Sequence, residues 1–383
     1  YLEYFSRRKM AGLYLHIPFC KSRCIYCDFY STTYPGLQQA YVEALCQEMR
    51  LRNDYVKSGI DTIYLGGGTP SQLSIENLQK IFDTIYDVYQ ISDNPEITIE
   101  CNPDDITPEY AEYIKQLPIN RISMGAQTFN DSRLKFLRRR HTSSQIREAI
   151  NILRMNGFSN ISIDLMYGFP EERLNEWIDD VNMAISLGVE HISAYSLMYE
   201  ENTPLYNMLR NKDLDEIDEE VSREMYDKLI DSLTAAGYQH YEISNFAIPG
   251  YQSRHNSSYW KQIPYIGIGA SAHSFDITSR QWNVADINEY IKTINTGKIP
   301  SEKEVLTEEM RYNDTVFTSL RTSEGLDLNK LKEIYGEKKV CYCLDMAKPH
   351  LDNGRLVMDD HLMKLTRDGI FVSDDIMSDL MIV

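Results

Sequence analysis

The run Tyr14-Leu-His-Ile-Pro-Phe-Cys20-Lys-Ser-Arg-Cys24-Ile-Tyr-Cys27-Asp-Phe29 decides how this chain is read. Gly12 to Pro18 is a short apolar segment that reads as a strand, and the cysteines lie on the loop that leaves it. Cys20, Cys24 and Cys27 have the spacing C-x3-C-x2-C. Three thiolates so placed can hold three irons of a cubane cluster and leave the fourth iron open to a small molecule. A structural zinc site or a disulfide would be the plainer use. Zinc would want a fourth ligand, and His16 is the only imidazole close in sequence. The spacing and its context favour the cluster.

Outward from this loop, short strand-like runs alternate with amphipathic helical stretches between residues 12 and 246, at intervals of about 30 residues. Strands are expected at Gly12–Pro18, Thr62–Gly66, Glu96–Cys101, Arg121–Gln127, Asn160–Gly168 and His191–Met198, with a weaker seventh at Gln239–Phe246. Helices are expected at Gln38–Asn53, Ile75–Tyr89, Pro108–Gln116, Ser144–Met155, Glu176–Leu187 and Glu219–Ala236. Repeated strand–helix–strand units imply a parallel α/β sheet, either an incomplete TIM-type barrel or an open doubly wound sheet. In both, the loops after the strands carry the site. Gly66-Gly67-Gly68, Asn102, Gln127 and Gly168 all fall there.

Residues 1–9 precede the first Met and read as an N-terminal extension to a barrel over 10–246. Residues 247–300, with Pro249-Gly250, Pro264 and Gly267-x-Gly269, read as a loop-rich connecting segment. Residues 301–383 read as helices followed by a short β-ribbon, a small winged-helix-like α+β domain. That last part carries 11 basic and 17 acidic residues, which argues against a DNA-reading wing.

The whole chain of 383 residues has a net charge of −18, from 39 basic and 57 acidic residues, which opposes binding to nucleic acid. No apolar run approaches the roughly 18 residues of a membrane span. Cys46, Cys101, Cys341 and Cys343 form no disulfide framework, which fits a reducing, cytoplasmic compartment.

With its cysteine loop directly after the first strand, the chain resembles the radical S-adenosylmethionine (SAM) superfamily. The resemblance implies a partial (β/α)6 barrel and a [4Fe–4S] cluster on Cys20, Cys24 and Cys27. It further implies SAM chelated to the open iron and cleaved, on one-electron reduction, to a deoxyadenosyl radical. It makes Gly66-Gly67-Gly68-Thr69-Pro70 the stretch whose backbone meets the SAM amino group, where a side chain at Gly67 or Gly68 would obstruct it. Glu100, Gln127, Arg139 and Asp164 match SAM contacts of a narrower group, and Tyr14 becomes a candidate SAM contact and catalytic residue. A carboxylate suits a ribose diol or an ammonium, and a guanidinium suits the methionine carboxylate. Arg138 and Arg140 read as solvated neighbours of Arg139.

The narrower group is the oxygen-independent coproporphyrinogen III oxidase-like family. His16-Ile-Pro-Phe-Cys20, Asp164-Leu-Met-Tyr-Gly-Phe-Pro170, Gly267-Ile-Gly-Ala-Ser-Ala-His273 and Leu320-Arg-Thr-Ser-Glu-Gly-Leu-Asp327 carry the resemblance. In the oxidase branch a further Cys stands two residues past the third ligand, where this chain has Phe29, and a longer arm precedes the Tyr-x-His. The HemW-type haem chaperones of the family are more similar. They share Cys27-Asp28-Phe29 and an HNxxYW stretch, present here as His255-Asn256-Ser-Ser-Tyr259-Trp260. That resemblance implies haem as cargo, held by His255 with Tyr259 and Trp260 covering the porphyrin. It also implies acceptor haem proteins, respiratory ones among them, and an electron donor. It leaves room for a homodimer and a peripheral membrane association. Whether any substrate is turned over stays open, with coproporphyrinogen III dehydrogenation as the alternative activity.

Overall fold

The structure is a computed structural model that describes residues 10–382; the expected extension over residues 1–9 lies outside the described residues. Six strands, β1 (Ala11–Ile17), β2 (Ile60–Gly67), β3 (Ile91–Cys101), β4 (Arg121–Gln127), β5 (Ile161–Tyr167) and β6 (His191–Ser196), lie side by side in chain order. Every neighbouring pair among them is parallel. Helices Gln38–Leu51, Ile75–Val88, Pro108–Ile114, Ser143–Met155 and Leu174–Ser186 fill the connections, and Glu219–Ala235 follows β6. The acidic stretch before that last helix ends in its cap, Asp218, which accepts from the N–H groups of Glu220 and Val221.

This order decides between the two sheets the pattern allowed. Right-handed crossovers that always step the same way put every helix on one face, whereas a doubly wound sheet reverses its order midway. The strands alternate accordingly. Leu13, Leu15, Ile63, Leu65, Ile97, Ile99, Ile122, Met124, Ile163 and Leu165 are buried beneath the helices in one continuous core. Their neighbours Tyr64, Glu100, Arg121, Ser123, Asp164 and Ser193 face the other way, into a polar lumen. The result is a partial (β/α)6 barrel, because β1 and β6 do not pair with each other.

The expected seventh strand is a hairpin instead. β7 (Gln239–Glu242) and β8 (Asn245–Ala247) pair antiparallel, and β8 lies antiparallel on β6. Residues 247–300 carry more regular structure than their glycines and prolines suggest. They hold the helix Arg254–Trp260, the strands β9 (Tyr265–Ile268), β10 (His273–Phe275) and β11 (Ser279–Asn283), and the helix Ile287–Ile294. With β12 (Ser301–Val305) these strands extend the sheet beyond β1. The glycines that read as loop punctuation serve close packing. A Cβ on Gly267 would lie 2.0 Å from the His273 carbonyl oxygen, and one on Gly269, at φ 111°, would lie 2.6 Å from the Tyr41 hydroxyl.

A buried ion pair fixes this extension to the barrel. Glu48 and Arg52 are 0 % and 3 % exposed and lie 3.1 Å apart. Glu48 also accepts from the Gly269 N–H, the Asn283 amide and the Tyr290 hydroxyl, while Arg52 donates to the Gly267 carbonyl and Ser274. After Leu306 the chain builds a second core from the helices Glu308–Leu320, Leu328–Tyr335 and Glu337–Asp352. A three-stranded antiparallel sheet completes it, formed by β13 (Leu326–Asp327), β14 (Leu356–Asp359) and β15 (Leu362–Leu365), in a winged-helix-like arrangement. No helix among the described residues is long and apolar enough to cross a membrane.

Replacing Glu48 with Ala leaves Arg52 charged, buried and stripped of its carboxylate. The unfolding free energy should fall by about 3–5 kcal/mol, read from the urea midpoint.

Candidate functional site

One cavity of about 510 Å³ opens at the C-terminal ends of the parallel strands. Cys20, Cys24, Cys27, Gly67, Gly68, Thr69, Glu100, Gln127, Arg139 and Asp164 all line it. The cysteine loop is tied down at both ends. Cys20 N–H donates to the Thr32 carbonyl, and the Ile25 side chain is buried with Leu137, Met166, Phe169, Leu197 and Leu205. The described cysteines are all free thiols. Burial raises the Cys20 pKa and pushes Cys27 up to about 11, with the neighbouring thiols adding to the effect. Among the described residues no three metal-ligating side chains converge on a single-ion site. Three thiols lining one cavity are the donor set that an iron–sulfur cluster takes.

Crowding within the chain also requires glycine in this stretch. Gly67 sits at φ 105°, and a Cβ there would lie 2.5 Å from the His16 ring. A Cβ on Gly68 would lie 2.7 Å from the Ile17 carbonyl oxygen and 3.0 Å from Phe19 N. Both glycines let β2 close against the start of the cysteine loop, where Gly68 N–H reaches Ile17 O at 2.9 Å and Thr69 N–H reaches Phe19 O at 2.8 Å. Thr69 Oγ1 lies 3.6 Å from Cys20 Sγ and accepts from Asn102.

Gln127 ends β4 in a bulge with φ 69°, a costly conformation for a residue with a side chain, and is turned into the cavity by it. Arg139 donates to Asn102 Oδ1 at 2.7 Å and the Gly125 carbonyl at 2.6 Å, and its other terminal nitrogen lies 3.5 Å from Cys24 Sγ. It is thus a cation held against a thiol. Arg140 is not a solvated neighbour: it is half-buried and paired with Asp104 and Asp105 at 2.7 and 3.1 Å. Arg138 is exposed, as expected.

Glu100 accepts from the Tyr64 hydroxyl at 2.8 Å and the Gly67 N–H at 3.1 Å. Burial lifts its pKa to about 7 and that of Asp164 to about 6, and the Asp164 charge raises Glu100 further. Asn102, expected only from its place after β3, and Arg121, which no motif marked, complete this lumen. Asn102 orders Thr69 and Arg139 together, and Arg121 is an arginine only 1 % exposed that lines the cavity floor. Its place in phase with Ser123 and Gly125 on a strand buried on both faces was the available cue.

Other expectations fall elsewhere. Tyr14 is not among the cavity-lining residues; its hydroxyl is bonded to His16 Nδ1 at 3.1 Å, below the cavity in the lumen. His255 is 1 % exposed, with Nδ1 on Thr62 Oγ1 at 2.8 Å and Nε2 on the Tyr259 hydroxyl at 2.7 Å. In this fold both of its ring nitrogens are engaged within the chain. The reason is that Glu96 caps the helix Arg254–Trp260 through the N–H groups of Arg254 and His255 and holds that helix across the barrel base. Asn256 on this helix faces the cavity. Trp260 faces a separate cleft of about 820 Å³, shared with His240, Tyr241, Lys261 and Thr322–Glu324.

Two outcomes follow for this site. Gly68→Ala should displace the start of the cysteine loop, lowering iron and sulfide per chain after reconstitution while the far-UV spectrum stays unchanged. The raised Glu100 pKa means that the folded chain holds this proton more tightly than the unfolded chain does. Its favourable contribution is full below the ordinary carboxylate range and is lost as pH rises through about 7. Glu100→Gln should therefore raise stability at about pH 8 by up to about 3 kcal/mol, a gain that vanishes by about pH 4.

Comparison with known proteins agrees with this geometry. The Radical SAM superfamily matches residues 14–184, and the HemN C-terminal domain matches residues 306–372. "Heme chaperone HemW" of Lactococcus lactis is 34% identical over 380 residues, covering 96% of this chain and 99% of that protein. The protein of the same name from Bacillus subtilis is 36% identical over 375 residues, covering 96% and 98%. The solved coproporphyrinogen III oxidase (HemN) from Escherichia coli superposes with a TM-score of 0.85 over 99% of this chain and 92% of that one, at 21% identity, a likeness of fold. Convergence of the cysteine loop and the strand-end residues on one cavity, together with relatives spanning nearly the whole chain, places it in the HemW family of radical SAM proteins.

Proposed function

We propose that this chain is a haem chaperone, a protein that binds haem and hands it to acceptor haem proteins. The observation that carries the reading is full-length similarity to proteins of that name, joined to a cavity in which all three loop cysteines meet the strand-end residues. In this reading Cys20, Cys24 and Cys27 hold a [4Fe–4S] cluster, and Gly67, Gly68, Thr69, Glu100, Gln127, Arg139 and Asp164 hold SAM beside it. When bound, these groups supply one-electron chemistry from an external donor. Arg139 keeps positive charge against Cys24, the backbone of Gly67 and Gly68 sets the distance between loop and strand, and the paired carboxylates receive the cationic parts of the ligand.

Haem ligation by His255 follows only once the helix Arg254–Trp260 has left the barrel base, since both ring nitrogens must first give up Thr62 and Tyr259. Tyr259 and Trp260 would then be freed to cover the porphyrin. Tyr14, bonded to His16, acts from beneath the cavity rather than on a substrate. Acceptors, respiratory ones included, work in the cytoplasm or at its membrane face, and a homodimer forms under control of the cluster.

Phe29, exposed at the cavity where the oxidase branch has a Cys, favours the chaperone over coproporphyrinogen III dehydrogenation. Chain reconstituted without oxygen should shift the haem Soret band. Given SAM, reductant and coproporphyrinogen III, it should make no protoporphyrinogen; efficient turnover would sink the reading. Cys24→Ala should abolish the broad cluster absorbance near roughly 400 nm. A full Soret shift retained in His255→Ala would locate the iron ligand on another residue.

A further inference from the structure

Of the five arginines that line the cavity, Arg139 and Arg121 are in opposite conditions. Both terminal nitrogens of Arg139 are engaged, by Asn102 and Gly125 on one and Cys24 on the other. Arg121 rises from the start of β4 at the floor of the same cavity and is 1 % exposed. Among the described residues its side chain has no hydrogen-bond acceptor and no ion-pair partner, and its Nε is fully buried without one. Thr98, its partner in register on β3, also has a buried hydroxyl with nothing to bond.

The carboxylates nearby do not complete it. Glu100 is already committed through both oxygens to Tyr64 and Gly67, and Asp164 lies across the cavity wall beside Ser193. Both feel the Arg121 charge, but neither comes within ion-pair distance of it. A guanidinium is always charged, and burying it without an acceptor is among the costliest arrangements in a protein interior. Its planar fork is matched by a carboxylate or a phosphate that accepts two parallel bonds, and of these two groups SAM and haem carry the carboxylate. A low-dielectric floor strengthens that pairing.

We propose that Arg121 is a carboxylate-binding residue of this cavity, taking an acid group of the bound ligand from below. The proposal rests on the reading of the cavity as a ligand site for SAM and haem. Both of those ligands carry the required group, SAM on its methionine portion and haem on its propionates. The alternative for Arg121 is a counter-charge that keeps Glu100 and Asp164 ionised without touching ligand.

The test uses cluster-loaded full chain, wild type, Arg121→Met and Arg121→Lys. Each is titrated with SAM, with a SAM analogue lacking the carboxylate, with haem and with haem dimethyl ester. Thermal midpoint and cluster absorbance report folding. The expected result is a loss of tenfold or more in Arg121→Met for one acid-bearing ligand, a smaller loss in Arg121→Lys, and equal binding of the acid-free analogue by all three. The arm that responds, SAM or haem, identifies the carboxylate. Equal losses for a ligand and its acid-free analogue would assign Arg121 to the counter-charge role and overturn the proposal, as would no loss at all. If Arg121→Met fails to load the cluster, the comparison is made on Arg121→Lys: a loss confined to the acid-bearing ligand supports the proposal, and any other pattern overturns it. Wild-type chain that binds neither SAM nor haem would sink the functional reading and this proposal with it. Wild-type binding with no response from the variants would sink only the assignment of Arg121.

Discussion

Period-two alternation in six parallel strands is the constraint on which everything else in this protein rests. Helices cover one face of the sheet, so each strand must send every second side chain outward into apolar packing. The remaining positions have no helix to meet and are free to be polar. Leu13, Ile63, Ile97 and Ile122 accept the first condition, and Tyr64, Glu100, Arg121 and Asp164 use the second. A shift of one residue in any strand would exchange core for lumen, so fold stability and ligand chemistry are specified by the same register. The pairing of Tyr14 with Tyr64 and of Glu100 with Ser123 is what keeps the functional side chains level with one another.

The cysteine loop extends this logic upward. It has little regular structure of its own, and its position comes from what lies against it: Thr32 beneath Cys20, the small cluster around Ile25, and two glycines that let β2 come close. Arg139 then reaches in from the segment after β4 with both terminal nitrogens occupied. A site for a large inorganic group can be built on a loop when the strand ends under it are fixed first.

Much of this was legible in the sequence. The six parallel strands and the helices between them were marked by alternating apolar periods, and the cysteine spacing pointed to one end of the barrel. What failed to show did so for physical reasons. Residues 247–300 form strands of three to five residues, too short to display a period, and their glycines signal turns when their work is close approach. The hairpin β7–β8 reads as one strand because its two-residue turn, Ile243-Ser244, carries no Gly or Pro to mark it. Arg121 is invisible because an arginine in a strand usually signals an edge or a surface, and only the closed lumen makes it interior. The HNxxYW motif marks His255 as a haem ligand without showing how deeply it is buried. Its burial depends on Glu96 and Thr62, which lie about 160 and 190 positions away and which no local pattern connects to it.

The helix Arg254–Trp260 is seven residues long, yet it is the common wall of two compartments. Asn256 belongs to the upper one and Trp260 to the lower. A shared partition makes the two spaces thermodynamically dependent on each other. Any molecule that draws this helix downward must alter affinity above it by some factor, and whatever binds above must alter affinity below by the same factor. A displacement of this one helix would therefore reshape a wall of both spaces at once.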